Sequence, residues 1–275
     1  RAAVARNEAR SAEIPILAYQ PGNEERHIRQ LAILADLRRA ARHDEFRLFL
    51  QPKIRLPDGE ICGAEALVRW QHPVFGFLTP DQFIPLAEKS GNISLITNWA
   101  LGAAIRECRF WLEEGLDLPV SVNLSARDLQ NRDLPCFALE LLRDHDLPSR
   151  NLVLEITEQA VVHDAQRAIL VLECLRDLGI CISIDDFGTG YSSLAHLKHL
   201  PADELKIDRS FVMDLPGNKD DAAIVRAAID LAHNLGRPVV AEGVENAAIL
   251  LRRGELGCAE AQGDHMSKPV PLAAL

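Results

Sequence analysis

Short apolar runs rich in Val, Ile and Leu alternate with longer amphipathic stretches along most of this chain. The runs are Phe46–Lys53, Ile61–Val68, Val120–Leu124, Leu152–Ile156, Ile180–Ile184, Glu204–Ile207, Val239–Ala241 and Cys258–Ala261. Runs of this length predict strands, and from the second onward helical segments separate them, which predicts βα units. Between Asp220 and Leu235, the residues Ile224, Ala228, Leu231 and Leu235 fall on one helical face. Gly236 then suits the position just past the helix, and Pro238 prevents continuation. Ile169–Leu178 ends at Gly179 in the same way, and Thr79-Pro80 predicts the cap and first position of a short helix through Leu86. From Glu24 to Arg42, Ile28, Leu31, Leu34 and Leu37 recur at three-residue steps and predict a lead-in helix.

The first two runs are joined only by Ile54–Glu60, with Pro57-Asp58-Gly59 in the middle. That is a hairpin turn, too short for a crossover helix. The expected fold is therefore α/β, a TIM-like (β/α)8 barrel whose first strand runs antiparallel to the second. Residues 1–25 differ from the rest. Ala18-Tyr19-Gln20-Pro21-Gly22-Asn23 reads as a turn or linker, so the expected division is a linker or tail over 1–25 and a barrel over 26–275. The chain opens at Arg1 without a Met and reads as a piece of a longer protein.

With 275 residues, 48% hydrophobic and 25% charged, the chain can bury a sizeable core. Its formal net charge of -10 argues against DNA, which requires a Lys/Arg stripe. A small phosphorylated ligand remains compatible if metal ions lie between carboxylates and phosphate. The cysteines Cys62, Cys108, Cys136, Cys174, Cys181 and Cys258 show no zinc spacing; most sit in apolar runs and read as reduced, buried thiols of a cytoplasmic protein. No apolar run reaches membrane-spanning length, so membrane contact by this fragment itself is not expected, although a parent protein could be membrane-attached.

Barrel enzymes carry their active sites at the C-terminal ends of the strands. The polar groups there are Glu65, Asn123, Glu155, Asp185, Asp186, Lys206, Asp208, Glu242 and Gln262. Any one carboxylate alone is more simply a strand-end ion pair or a helix cap; Lys206 alone is a snorkelling surface lysine, and Asp208 alone caps the turn at Arg209 and Ser210. Recurrence at successive strand ends is what these separate explanations fit poorly. Six acidic residues brought together require a cation, and oxygen donors suit Mg²⁺ or Mn²⁺. Adjacent Asp185 and Asp186 could place one oxygen on each of two ions, the clamp used for in-line attack on a phosphodiester.

The segments Gln51-Pro52, Glu65-Ala66-Leu67-Val68-Arg69-Trp70-Gln71-His72-Pro73, Asn123-Leu124-Ser125, Glu155-Ile156-Thr157-Glu158, Asp185-Asp186-Phe187-Gly188-Thr189-Gly190, Lys206-Ile207-Asp208, Glu242-Gly243-Val244-Glu245 and Gln262-Gly263 resemble, in order, the EAL domain family. The resemblance covers roughly residues 30–275. It implies metal-dependent hydrolysis of cyclic di-GMP to linear 5′-pGpG by a homodimer. It implies that Glu65, Asn123, Glu155 and Asp185 hold the first metal, and that Asp185 bridges to a second ion also held by Asp186. Lys206 would contact the attacking water and the phosphate, and Glu242 would be the general base. Substrate contacts would fall to Gln51, Leu67, Arg69, Asp208, Gln262 and Pro269, and Glu158 would anchor the Gly188-Thr189-Gly190 loop.

Leu50, Ala259 and Asp264 depart from residues often found in that family, on the base-binding side. Residues 1–25 resemble the tail of a GGDEF-type domain, which implies a tandem parent. A catalytically silent cyclic di-GMP receptor is the alternative reading, but such a domain would lack some of Glu65, Asn123, Glu155, Asp185, Lys206 or Glu242, and all are present. A third reading, an unrelated metal-dependent barrel enzyme acting on a carbon acid, does not account for the ordered motifs.

Overall fold

The structure is a computed structural model that describes residues 23–162, 164–189, 200–213, 215 and 217–272. The proposed linker therefore lies almost wholly outside the described residues, as does Gly190. Among the described residues, ten strands form one sheet that closes on itself. Strand β1 (Phe46–Arg55) pairs antiparallel with β2 (Ile61–His72) on one side and with β9 (Glu260–Ala261) on the other. Between them run β4 (Val120–Leu124), β5 (Leu152–Thr157), β6 (Cys181–Phe187), β7 (Glu204–Ile207) and β8 (Val239–Ala241), all parallel to β2 and β9. The barrel with one reversed strand is as expected. Two short additions, β3 (Gly76–Leu78) beside β2 and β10 (Val270–Pro271) beside β1, had no sequence signal because two or three residues show no periodicity.

The parallel strands are linked by helices because each strand buries both faces. On β7, Leu205 and Ile207 point to the helical layer and Glu204 and Lys206 point inward, as the two-residue period requires. The connecting helices are α1 (Asn23–Ala40), α2 (Pro80–Ser90), α3 (Ile93–Glu113), α4 (Leu134–Asp144), α5 (Glu158–Val162), α6 (Ala165–Asp177), α7 (Arg209–Val212), α8 (Lys219–Asn234) and α9 (Ala247–Leu256). Gly179 and Gly236 follow α6 and α8 with φ of 81° and 68°, the left-handed conformation expected of them. Helix α2 begins at Pro80 as predicted but runs to Ser90, and the Thr79 side chain makes no capping hydrogen bond.

Two buried stripes differ in detail from the sequence reading. In α8 the fully buried row is Val225, Ile229 and Ala232; Ala228, Leu231 and Leu235 flank it, and Ile224 is exposed. In α1, Ile33, Leu37 and Ala40 are buried while Ile28 and Leu31 face solvent. Three-residue steps fall short of a full 3.6-residue turn, so an exact i+3 series winds off the buried face. The α1 stripe packs on an aromatic cluster of Phe46, Trp70 and Phe83. Polar bonds tie its rim: Arg39 and Trp70 both donate to Glu45. None of the six cysteines forms a disulfide among the described residues, but only Cys108 and Cys258 are buried; Cys136 and Cys174 are exposed, on the outward faces of α4 and α6. Among the described residues, no helix is long and apolar enough to cross a membrane.

Candidate metal centre

The polar strand ends meet at one mouth. Lys206 of β7, fully buried, sits at their middle. Its Nζ lies 2.6 Å from Glu242 Oε1, 2.7 Å from Glu155 Oε2, 3.4 Å from Asp185 Oδ2 and 3.5 Å from Glu65 Oε2. The reading of Lys206 as a surface lysine is thereby excluded. Two amides fix Glu65: Asn123 Nδ2 donates to Oε1 and Gln262 Nε2 to Oε2, both at 2.7 Å. Gln262 Nε2 also reaches Gln51 Oε1 at 3.2 Å, and its own Oε1 is buried without a hydrogen-bond partner among the described residues. Gln51 donates to Ser267 O at 3.1 Å and approaches Asp264, one of the departures from the family pattern, at 3.5 Å.

Neighbouring residues of a regular strand face opposite ways, so Asp185 and Asp186 should not both line the mouth. An irregularity in the β6–β7 pairing between Ile184 and Phe187 resolves this. Asp186 adopts φ 53°, left-handed for a non-glycine residue, and its N–H donates to Asp185 Oδ1 at 2.8 Å. The bulge re-aims the side chain, as bulges beside functional sites do. Asp185, Asp186 and Glu242 thus bring carboxylate oxygens within 4.8 Å of one another.

A second buried lysine, Lys53 of β1, escaped the sequence reading. Its Nζ lies 2.9 Å from Glu155 Oε1 and 3.2 Å from Glu204 Oε1, and Ser183 Oγ donates to the same Glu204 oxygen at 2.7 Å. Nothing in an apolar run ending in Lys marks that residue as inward-facing; only the two-residue spacing from Gln51 hints at it.

Burial raises every carboxyl here, and the lysines decide which ones stay ionised. Against burial, Lys206 and Lys53 hold Glu155 down to about 2. Glu242 is pushed up to about 8 by burial, despite the pull of Lys206. Asp186 rises to about 6 through burial and then the charges of Asp185 and Asp208. Glu65 and Asp185 are raised too, by burial first. The carboxylates around Lys206 outweigh its burial and raise it well above the ordinary lysine value. Negative charge is thus in excess, and a divalent cation would relieve it. The donors are all oxygens, which fits hard ions of the Mg²⁺ or Mn²⁺ type.

The remaining predicted residues frame the mouth. A cleft of about 300 Å³ is lined by Gln51, Leu67, Asp185, Glu242, Gln262 and Asp264. Beside it, an apolar pocket of about 360 Å³ lies between the ends of β2 and β4 and helices α2 and α3; it shares Leu67 with the cleft and is also lined by Asn123. Arg69 lies over the Phe49 ring with 5.6 Å from its guanidinium carbon to the centroid, and donates to Val68 O. Pro269 precedes β10, which pairs with β1 at Phe49 and Leu50. Asp208 caps α7 by accepting from Ser210 N and Oγ, as the simpler reading of that residue expected. Glu158, buried at the start of α5, accepts from Gly188 N at 3.2 Å. That contact ties α5 to the segment following the Asp pair, within the described residues.

A closed β/α barrel with a reversed first strand and a carboxylate-rich mouth defines a class of metal-centred barrel domains. The chain belongs to the EAL domain family, whose match spans residues 34–269. MucR of Pseudomonas aeruginosa, named a bifunctional diguanylate cyclase/cyclic di-GMP phosphodiesterase, is 46% identical over 247 residues, covering 90% of this chain and 36% of MucR. The cyclic di-GMP phosphodiesterase NbdA of the same organism is 45% identical over 251 residues, covering 91% of this chain and 32% of NbdA. The chain thus spans about a third of the length of these relatives. The structure of the PaMucR phosphodiesterase in complex with c-di-GMP superimposes with a TM-score of 0.83 at 46% identity, covering 87% of this chain and 98% of that one.

Proposed function

We propose that this domain hydrolyses cyclic di-GMP to linear 5′-pGpG. The observation that carries the reading is the convergence of Glu65, Asn123, Glu155, Asp185, Asp186, Lys206 and Glu242 on one mouth, in a chain 46% identical to a named phosphodiesterase. Glu65, Asn123, Glu155 and Asp185 would hold one Mg²⁺ or Mn²⁺, and Asp185 with Asp186 a second. When bound, such ions lower the pKa of a coordinated water and neutralise phosphate charge.

The chain's own groups do the rest. Glu242, with its raised affinity for protons, accepts the proton of the attacking water. Lys206 supplies positive charge where the phosphoryl oxygens gain negative charge. Gln51, Leu67, Arg69, Asp208, Gln262 and Pro269 would position the dinucleotide across the mouth. Arg69 suits a phosphate or a guanine edge, to which its fork can donate two bonds. The apolar pocket beside Leu67 has the size and lining for a planar base. Glu158 holds the segment after the Asp pair in place through Gly188. We further assign the domain to the cytoplasm and to a homodimer, on the family's pattern and on cysteines that form no disulfide among the described residues.

The test is incubation of purified protein with cyclic di-GMP and Mn²⁺, followed by chromatography. The linear dinucleotide is the expected product. Bound but uncleaved cyclic di-GMP would overturn the reading in favour of a silent receptor.

A further inference from the structure

Of the two lysines that contact Glu155, Lys206 has a role in the proposed reaction and Lys53 has none. Burying an ammonium is expensive, and a strand end offers cheaper residues. Lys53 is nevertheless 4% exposed, on the one antiparallel strand of the barrel, below the mouth. Gly63 stands opposite it on β2 and offers no side chain. Its ammonium touches one oxygen of Glu155, and Lys206 touches the other, at 2.9 and 2.7 Å. Glu155 is itself completely buried, so these two cations fix the plane of its carboxylate. Lys53 is in turn held from the side by Glu204, whose oxygen Ser183 also engages.

We propose that Lys53 is a positioning residue for the metal centre: it grips the inner oxygen of Glu155 so that the outer oxygen faces the mouth. This rests on the assignment of Glu155 as a metal ligand. The two lysines then have different fates. With a cation held by the outer oxygen, Lys206 would be free to face substrate. Lys53 keeps the inner one. The inner oxygen of Glu155 accepts no hydrogen bond among the described residues, and its ion pair with Lys53 is what compensates its burial; without Lys53 the carboxylate can turn, that oxygen is left uncompensated, and Glu204 loses its cation. Groups that orient metal ligands in this way typically change metal affinity or activity about 10–100-fold when removed.

The experiment compares wild type with Lys53→Met and Lys53→Arg in the whole chain, each checked for a cooperative melt. Mn²⁺ is titrated into EDTA-stripped protein by calorimetry, without substrate. Lys53→Met should weaken Mn²⁺ binding about 10–100-fold. In turnover of cyclic di-GMP, its kcat should fall at limiting Mn²⁺ and recover at saturating Mn²⁺, with KM little changed. Lys53→Arg keeps the charge but moves the donors outward. It should weaken Mn²⁺ binding less than Lys53→Met, and still by about threefold or more. Should Lys53→Met fail to fold, Lys53→Arg decides. Wild-type Mn²⁺ affinity in a folded variant of either kind overturns the proposal. Wild-type protein that binds Mn²⁺ but does not cleave cyclic di-GMP would overturn the function and leave the positioning role intact.

Discussion

The Lys206 ammonium lies 2.6 Å from a Glu242 oxygen, yet that carboxyl is pushed up to about 8. A contact this short would ordinarily pull a carboxylate down. It fails to here because Lys206 divides its charge among Glu242, Glu155, Asp185 and Glu65, and because Glu242 is largely withdrawn from water, its side chain 18% exposed. Of Glu155, Asp186 and Glu242, it is Glu242 that holds a proton most tightly, at about 8, close to what a general base near neutral pH needs.

Glu242→Gln keeps the volume of the side chain and removes its basicity. Turnover of cyclic di-GMP is expected to fall about 10²–10⁴-fold. The melting temperature of metal-free protein at pH 7 should change little, since a carboxyl pushed up to about 8 is already mostly neutral there. Steady-state kinetics and a thermal melt check both. A variant with wild-type kcat would remove Glu242 from the mechanism.

The barrel and most of its mouth were legible because both follow from local pattern. Apolar runs alternating with helical stretches gave the strands, and Glu65, Asn123, Glu155 and Lys206 stand inside or at the ends of those runs. Three features were not legible, each for a physical reason. Asp186 itself was named from the sequence, but the left-handed bulge that turns it to the mouth was not, because a non-glycine residue does not announce one. Lys53 finds Glu155 and Glu204 more than a hundred positions away, so no local spacing links them. The buried stripe of α1 is set by the Phe46–Trp70 cluster it packs against, whereas the sequence offered a longer apolar series that winds into solvent.

Metal-free protein should be less stable at pH 8.5 than at pH 5.5. Glu242, Asp186, Asp185 and Glu65 all have raised affinities for protons in the folded chain. Such groups bind protons more tightly folded than unfolded, so stability falls as pH rises through the window between the two values. For Glu242 that window runs from 4.5 to about 8. Glu155 acts oppositely: held down to about 2, it contributes stability above 4.5 that is lost as pH falls toward 2. The optimum therefore lies near pH 5 to within about one unit. Melts in EDTA across this range test the sign. Adding Mn²⁺ should raise the melting temperature more at pH 8.5 than at pH 5.5, because protons no longer compete for the carboxylates. A flat profile in EDTA would mean that the excess charge is dissipated in some other way.

EDTA should abolish turnover, and Mg²⁺ or Mn²⁺ should restore it. Ca²⁺ should bind the same oxygens yet support turnover on the order of a hundredfold more slowly, because it favours longer bonds and higher coordination and would misplace the attacking water. Parallel activity and calorimetry with each ion separate binding from chemistry. Full turnover with Ca²⁺ as the sole ion would refute the geometric demand placed on the site.

Gly263→Ala should disturb the mouth although position 263 carries no functional group. A Cβ there would lie 2.3 Å from Val244 N and 2.5 Å from Val244 O, both backbone atoms that cannot swing aside. The two segments are locked together by Val244 N donating to Gln262 O at 3.1 Å and His265 N to Val244 O at 2.9 Å. Relief of the clash must therefore move the Gln262 backbone, and with it the amide that holds Glu65. The expected cost is about 2–4 kcal/mol of stability, read from a denaturant melt. KM for cyclic di-GMP should rise as well, because Gln262 and Gln51 shift together. The contrasting variant Gly217→Ala, where an added Cβ meets nothing within 4 Å, should leave KM unchanged. Equal behaviour of the two variants would show that the Gln262 turn yields without moving the site.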